Sequence, residues 1–81
     1  MNVRVRLLAG ARQAAGRDIM DVDVPQGTTV GELRRRLAAQ IPQTSGLVER
    51  AMFAVNAEYA RDSDAVAPDA DVACIPPVSG G

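Results

Sequence analysis

The stretch TVGELRRRLAAQIP, residues 29–42, decides the fold. Thr29 and Glu32 stand in the S/T-x-x-E spacing of a capping box, in which hydroxyl and carboxylate satisfy helix N–H groups that lack partners. Val30, Leu33, Leu37 and Ile41 then recur at helical spacing and lay one apolar stripe along one side. Pro42 stops the pattern, because it has no N–H and clashes with the preceding turn. The stretch predicts one main helix with a single buried side, which needs an apolar sheet to lie on. Arg34, Arg35 and Arg36 ride on its flanks. Such a cluster could bind phosphate or an acidic partner, but a solvated helix face is the simpler reading.

The flanking sequence supplies that sheet. Upstream, Val3, Val5 and Leu7 alternate with Arg4 and Arg6, the period-two signature of a strand with one buried face. Leu8 breaks the polar side of the alternation. Ala9 to Ala15 reads as a turn of helix closed by Gly16. Met20, Val22 and Val24 alternate with Asp21 and Asp23, so a second strand hairpins onto the first and ends at Pro25-Gln26-Gly27.

Downstream, Gln43 to Glu49 reads as a loop with one helical turn. Met52 to Val55 is a third strand, and Asn56-Ala57-Glu58 turns the chain into Tyr59-Ala60. Arg61 to Ala65 is polar and irregular, Pro68-Asp69-Ala70-Asp71 is a turn, and Val72 to Ile75 is the last strand. The expected fold class is α+β: a roll with a mixed four- to five-stranded sheet, one main helix across one face and the last strand beside the first. Residues 1–75 form the domain and 76–81 an extended tail. The uncovered face would carry Arg4, Arg6, Leu8, Ala73 and Ile75, a mixed basic and apolar surface that suits an interface.

Composition narrows the function. Eighty-one residues, 47% of them hydrophobic, make one domain with one core. A net charge of −1 gives no field that favours nucleic acid or an anionic membrane. There is one Cys and no His, so neither an internal disulfide nor a His/Cys zinc cluster is expected. An unpaired Cys suits a reducing compartment, and the expected location is the cytoplasm. The Arg-rich, acid-free start resembles a transit peptide only faintly: it lacks Ser, and its removal would take part of the core. Cys74, flanked by Ala73 and Ile75, reads as a small core residue rather than a nucleophile.

The sequence ends Pro76-Pro77-Val78-Ser79-Gly80-Gly81. The prolines favour an extended path and lack N–H donors, so this stretch does not readily add to a sheet. Gly80 and Gly81 have no Cβ and can thread a narrow channel. Six residues at ~3.3 Å each reach roughly 20 Å. A terminus on a stiff base with a thin tip suits insertion into another protein's active site.

The strand order is that of the ubiquitin-like β-grasp fold. More closely, Ile75-Pro76-Pro77-Val78-Ser79-Gly80-Gly81 resembles the ending of the small, sulfur-carrying subunits of molybdopterin synthase. Val55-Asn56-Ala57-Glu58-Tyr59 resembles that family's strand-turn segment, and Val3 to Gly16 its first strand and following turn. Two departures are visible. Asp69-Ala70-Asp71 stands where the family often has Asp-Gly-Asp, and Leu8 and Ala73-Cys74 stand where it often has aromatics.

The resemblance implies a reaction. An adenylyltransferase of the ubiquitin-activating type, using ATP and Mg²⁺, would adenylate the Gly81 carboxylate. A sulfur donor such as a cysteine desulfurase or a rhodanese-type protein would displace AMP and leave a thiocarboxylate. Its sulfur would attack cyclic pyranopterin monophosphate in the large subunit, with two deliveries building the dithiolene. Gly81 would be the reacting residue and Gly80 its thin neighbour. Pro76, Pro77, Val78 and Ser79 would dock the tail. Catalytic residues would lie in the large subunit of a heterotetramer, and no cofactor or metal is expected on this chain. The readings that stay open are a sulfur carrier for thiamine, tRNA thiolation or cysteine synthesis, a protein modifier ligated through Gly81, and an interaction domain with an inert tail.

Overall fold

The structure is a computed structural model that describes residues 1–77. Its elements in chain order are β1 (Asn2–Leu7), α1 (Ala9–Ala15), β2 (Ile19–Asp23), α2 (Val30–Gln40), a 3₁₀ turn (Pro42–Thr44), α3 (Ser45–Arg50), β3 (Met52–Val55), β4 (Glu58–Ala60) and β5 (Val72–Ile75). The five strands form one sheet in the order β2-β1-β5-β3-β4. β1 and β5 run parallel, and the other neighbours are antiparallel. This is the expected mixed sheet, with its last strand beside its first.

Alternation in β1 and β2 sorts side chains as anticipated. Val3, Val5 and Leu7 face the core with Met20 and Val22, while Arg4, Arg6, Asp21 and Asp23 stay in solvent. Val72 and Cys74 of β5 and Phe53 of β3 complete the inner side of the sheet. Val30, Leu33, Leu37 and Ile41 close over it from α2. Phe53 is fully buried, and burial of a side chain of this size contributes about 1.5–3 kcal/mol.

The start of α2 differs from a full capping box. The Thr29 hydroxyl accepts the Glu32 N–H at 3.2 Å, but the Glu32 carboxylate turns outward to Arg35 and Arg36. Those two hydrogen bonds hold the Glu32 carboxyl below its ordinary range. The remaining free N–H groups are taken by a neighbouring loop. Val30 donates to the Asp64 carbonyl at 2.9 Å and Gly31 to the Asp62 carbonyl at 3.0 Å. The irregular segment after β4 is therefore the cap of the main helix. Gly31 permits the approach, because a Cβ there would sit 3.2 Å from Asp62 Cβ and 3.3 Å from its carbonyl oxygen.

Two expectations are corrected downstream. Residues 42–50 carry a 3₁₀ turn and the six-residue helix α3 rather than a loop with one turn. An isolated helix of that length is not stable in water, so tertiary contacts hold it. Val48 and Thr44 are buried, and Arg34 reaches across from α2 to its end. Arg34 Nη1 donates to the carbonyls of Val48 (3.0 Å), Glu49 (3.2 Å) and Ala51 (2.5 Å) at the C-terminus of α3, where Val48 also accepts the Ala51 N–H at 3.2 Å. Its Nη2 pairs with Asp62 at 2.8 Å, and the guanidinium lies 4.8 Å from the Phe53 ring centroid. Arg34 thus ties together α2, α3, β3 and the capping loop. It is not part of a solvated basic cluster: its side chain is 16% exposed, against 73% for Arg35.

Between β3 and β4 a two-residue turn places Asn56 (φ 52°) and Ala57 (φ 68°) in the left-handed region. Asn tolerates that region; Ala pays a Cβ–carbonyl clash. Ala57→Gly is expected to raise stability by about 1 kcal/mol and the Tm by ~4–8 °C in thermal unfolding. Arg34→Ala, which takes a donor from the Glu49 and Ala51 carbonyls and from Asp62 and leaves Val48 with the Ala51 N–H alone, is expected to cost about 3 kcal/mol in chemical denaturation.

Candidate functional site

All the helices pack on one side of the sheet, and the opposite face is the candidate site. Strand parity places side chains on it, and the register orders them. Paired residues run Ile19–Arg6–Ala73–Ala54–Tyr59 across all five strands in one row. A second row begins with Leu8, whose N–H donates to the Cys74 carbonyl at 3.2 Å, and continues through the pair Ile75–Met52. The large hydrophobic side chains that are exposed among the described residues are Leu8 (40%), Ile19 (38%), Met52 (54%) and Tyr59 (70%). Every one of them stands on this face.

Of the residues expected here from the sequence, Arg4, Arg6 and Leu8 are exposed on this face, Ile75 is half-buried, and Ala73 is only 8% exposed beneath its neighbours. Ala73 supplies a flat floor between Arg6 and Ala54 rather than contact area. Ile19, Met52 and Tyr59 were missed. A signal for Ile19 was present, since it stands one residue out of phase with Met20 in a polar position. Met52 and Tyr59 lie in short strands with apolar residues on both faces, where alternation cannot assign sides.

The face is divided electrically. At the end where β5 finishes, Leu8, Ile75 and Met52 form an apolar strip. Toward the other end, Arg4 pairs with Asp21 at 3.3 Å and Arg6 with Asp71 at 2.9 Å. These pairs are more than half exposed on at least one side, and such pairs contribute only about 0–1 kcal/mol to stability. Arg4, Arg6 and Asp71 line an open groove of about 410 Å³ together with Asn2, Ile19, Asp69 and Ala70. A partner can exchange these loosely held charges at little cost.

Pro76 is buried and Pro77 exposed as the chain leaves β5 beside the apolar strip. The tail positions Val78, Ser79, Gly80 and Gly81 lie outside the described residues. Cys74 is fully buried on the core side of β5, as expected. Burial pushes its thiol up to about 11, against a small opposing effect of the Arg34 charge. At neutral pH it is a protonated core group and not a nucleophile. Among the described residues, no group of three or more His, Cys, Asp or Glu side chains is placed to hold a metal ion. No helix among them is long and apolar enough to cross a membrane.

Comparison with known proteins extends the geometry. The ThiS family matches residues 5–81. The molybdopterin synthase sulfur carrier subunit of Dictyostelium discoideum is 37% identical over 96% of this chain and 94% of its own length. The protein of the same name from Chlamydomonas reinhardtii is 31% identical over the whole of both chains. Among solved structures, SAMP1 of Haloferax volcanii, a small archaeal modifier protein, superposes with a TM-score of 0.86 over the whole of both chains at 28% identity. The ubiquitin-like β-grasp fold is thereby shown.

The buried thiol has a measurable consequence. Its folded pKa stands above the unfolded value of 9.0, so the thiolate is disfavoured in the native state. Stability is fully kept below pH 9 and declines as pH rises toward about 11. At pH 8 a thiol-alkylating reagent should label Cys74 at least about a hundredfold faster in denaturant than in native buffer. Equal rates would place the thiol at the surface.

Proposed function

The chain belongs to the ThiS family, and on that premise we propose that it is the sulfur carrier subunit of a molybdopterin synthase. The observation that carries the proposal is the match to two proteins of that name at 31% and 37% identity across essentially their full lengths. The ending PPVSGG agrees with it.

The chemistry starts from what a carboxylate lacks. Its carbon is shielded by delocalised negative charge and accepts no nucleophile until a leaving group is attached. In the proposed cycle a Gly81 carboxylate oxygen attacks the α-phosphorus of ATP in an adenylyltransferase of the ubiquitin-activating type. Pyrophosphate leaves, and Mg²⁺ held by that partner balances the phosphate charge. The terminal sulfur of a persulfide on a sulfur donor protein attacks the acyl carbon and the acyl–oxygen bond to AMP breaks, leaving an acyl disulfide. A thiol then cleaves its S–S bond, is itself oxidised to a disulfide, and releases the thiocarboxylate. The thiocarboxylate sulfur attacks cyclic pyranopterin monophosphate in the large subunit to form a thioester. Water cleaves the acyl–sulfur bond and returns the Gly81 carboxylate, and two such deliveries complete the dithiolene of molybdopterin.

In this scheme the described body positions the reacting atom. The apolar strip of Leu8, Ile75 and Met52 lies where the tail departs, so a partner that grips it also receives residues 76–81. Holding the terminus in a closed pocket turns a bimolecular attack into a nearly intramolecular one. Gly80 and Gly81 keep the tip narrow enough to enter. The same face serves each partner in turn, which makes their binding mutually exclusive.

A second reading rests on the likeness to SAMP1: ligation through Gly81 to amines of other proteins. It shares the adenylate and differs in the nucleophile that takes the acyl group. All nine basic residues of this chain are Arg, so conjugates would form on lysines of other proteins rather than on its own.

Incubation with a cognate activating enzyme, ATP and a sulfur donor should raise the intact mass by one sulfur in place of one oxygen. Gly81→Ala should sharply reduce that loading, and deletion of Gly81 should abolish it. Cofactor synthesis at the wild-type rate by the deletion variant would overturn the proposal, and high-mass conjugates on a denaturing gel would favour the second reading. Met52→Glu, at a site where the native side chain is 54% exposed, should leave the fold intact and weaken binding of the large subunit at least about thirtyfold in calorimetry.

A further inference from the structure

Strand β2 is an edge of the sheet, and an edge strand presents a row of backbone groups to any other strand. Its inward pairing identifies which groups those are. Leu7 N–H donates to the Asp18 carbonyl and Val24 N–H to the Met1 carbonyl, so even-numbered residues of this segment turn their backbone toward β1. Ile19, Asp21 and Asp23 therefore turn theirs outward. All three outward carbonyls already have a donor. Arg17 Nε donates to Ile19 at 3.1 Å, Gln40 Nε2 to Asp21 at 3.3 Å and Arg36 Nη1 to Asp23 at 3.4 Å.

The donors come from two places. Arg36 and Gln40 stand one turn apart on the side of α2 that overhangs the edge, and Arg17 comes directly after the left-handed Gly16 that ends α1 (φ 73°). The spacing of the carbonyls along the strand, two residues or about 6.8 Å, is near the rise of one helical turn plus side-chain reach. The other edge, β4, is only three residues long, and the pairing of Val55 with Glu58 and Phe53 with Ala60 leaves Tyr59 as its middle residue. The five-residue β2 is thus the edge that offers another strand a full ladder.

We propose that Arg17, Arg36 and Gln40 form a seal that closes the β2 edge to strand addition, above all by a second copy of this chain. The seal goes beyond the sulfur-carrier reading and does not depend on it. It directs association away from the backbone edge and onto the open sheet face, where side chains rather than main-chain groups select the partner. A strand approaching β2 must first displace three side-chain donors, so pairing there gains few net hydrogen bonds.

The test is self-association of the variant Arg17→Ala/Arg36→Ala/Gln40→Ala, measured by sedimentation velocity over a concentration series. About 0.5 M salt screens the charges of Asp21 and Asp23. With circular dichroism unchanged, the triple variant should dimerise at least about tenfold more tightly than the native chain, the ratio of one net hydrogen bond. Adding Asp21→Pro, which removes an outward N–H and no bond to β1, should return it to the native behaviour. A folded triple variant that associates no more than the native chain overturns the proposal, as does association that survives Asp21→Pro. Should the triple variant unfold, Gln40→Ala alone, at an exposed helix position that Ala favours, should shift the same equilibrium about threefold; no shift overturns the proposal equally.

Discussion

The placement of β5 between β1 and β3 is the constraint on which the rest depends. Val72, Ala73 and Cys74 pair in parallel with Val5, Arg6 and Leu7 on one side, while Met52 to Val55 pair antiparallel on the other. A parallel pair requires a crossover, and here the crossover contains most of the protein: β2, α2, α3, β3 and β4 all lie between the two central strands in sequence. The last strand can therefore settle only into a slot that the preceding elements have built. Its own core contribution is modest, four residues with Val72 and Cys74 buried toward the helices. Its leverage comes from position, since its backbone is paired on both sides and its end points are held. Pro76 therefore leaves the sheet from a rigid base.

That topology also accounts for the two faces. The crossover carries its helices over one side of the sheet, and the apolar stripe of α2 lies against Val5, Val22, Phe53 and Cys74. The other side has no element among the described residues to cover it. A sheet destined for solvent on that side would carry polar residues throughout, as β1 and β2 largely do. Here Leu8, Ile19, Met52 and Tyr59 stand exposed where charges would have been cheaper, Leu8 at the end of β1 and Met52 on β3, the strands that flank β5, and Ile19 and Tyr59 on the two edge strands. Exposed apolar area of this kind lowers solubility without contributing to the fold, which supports the proposed use of this face by a partner. The exposed ion pairs Arg4–Asp21 and Arg6–Asp71 give the rest of this face an ordinary solvated character.

Much of this was legible in the residues, and the limits have physical reasons. β1 and β2 could be read with their faces because each has one wet side, which writes alternation into the sequence. β3 is apolar on both sides and β4 has only three residues, so their existence was readable and their facing was not, and Met52 and Tyr59 went unassigned for that reason; in β5, by contrast, Ala73 and Ile75 were placed on the outer face. α3 was underestimated because six residues show no full helical period, and its support comes from Arg34, fourteen to seventeen residues away in sequence. Arg34, Arg35 and Arg36 are one residue type in a row, and only rotation about the helix axis distinguishes the structural one from the solvated two. The cap of α2 by the Asp62 and Asp64 carbonyls is a main-chain contact, which leaves no mark on side-chain identity beyond the small Gly31.

The relation between Cys74 and the tail shows how the chain separates stability from chemistry. A sulfur-handling protein with one thiol invites the idea that the thiol carries the sulfur. Burial argues otherwise: Cys74 sits between Leu7 and Phe53 across the sheet, with its thiol pushed up to about 11. A group in that position cannot be reached without opening the central strand, and a thiolate there would undo the core. The proposed carrier atom is instead attached to the backbone carbonyl carbon of Gly81, so the proposed chemistry asks nothing of the Cys74 thiol. The core can then be optimised for apolar fit and the outer face for partner fit, independently of each other. In the proposed cycle such a carrier would exchange partners by docking and undocking its β-grasp body.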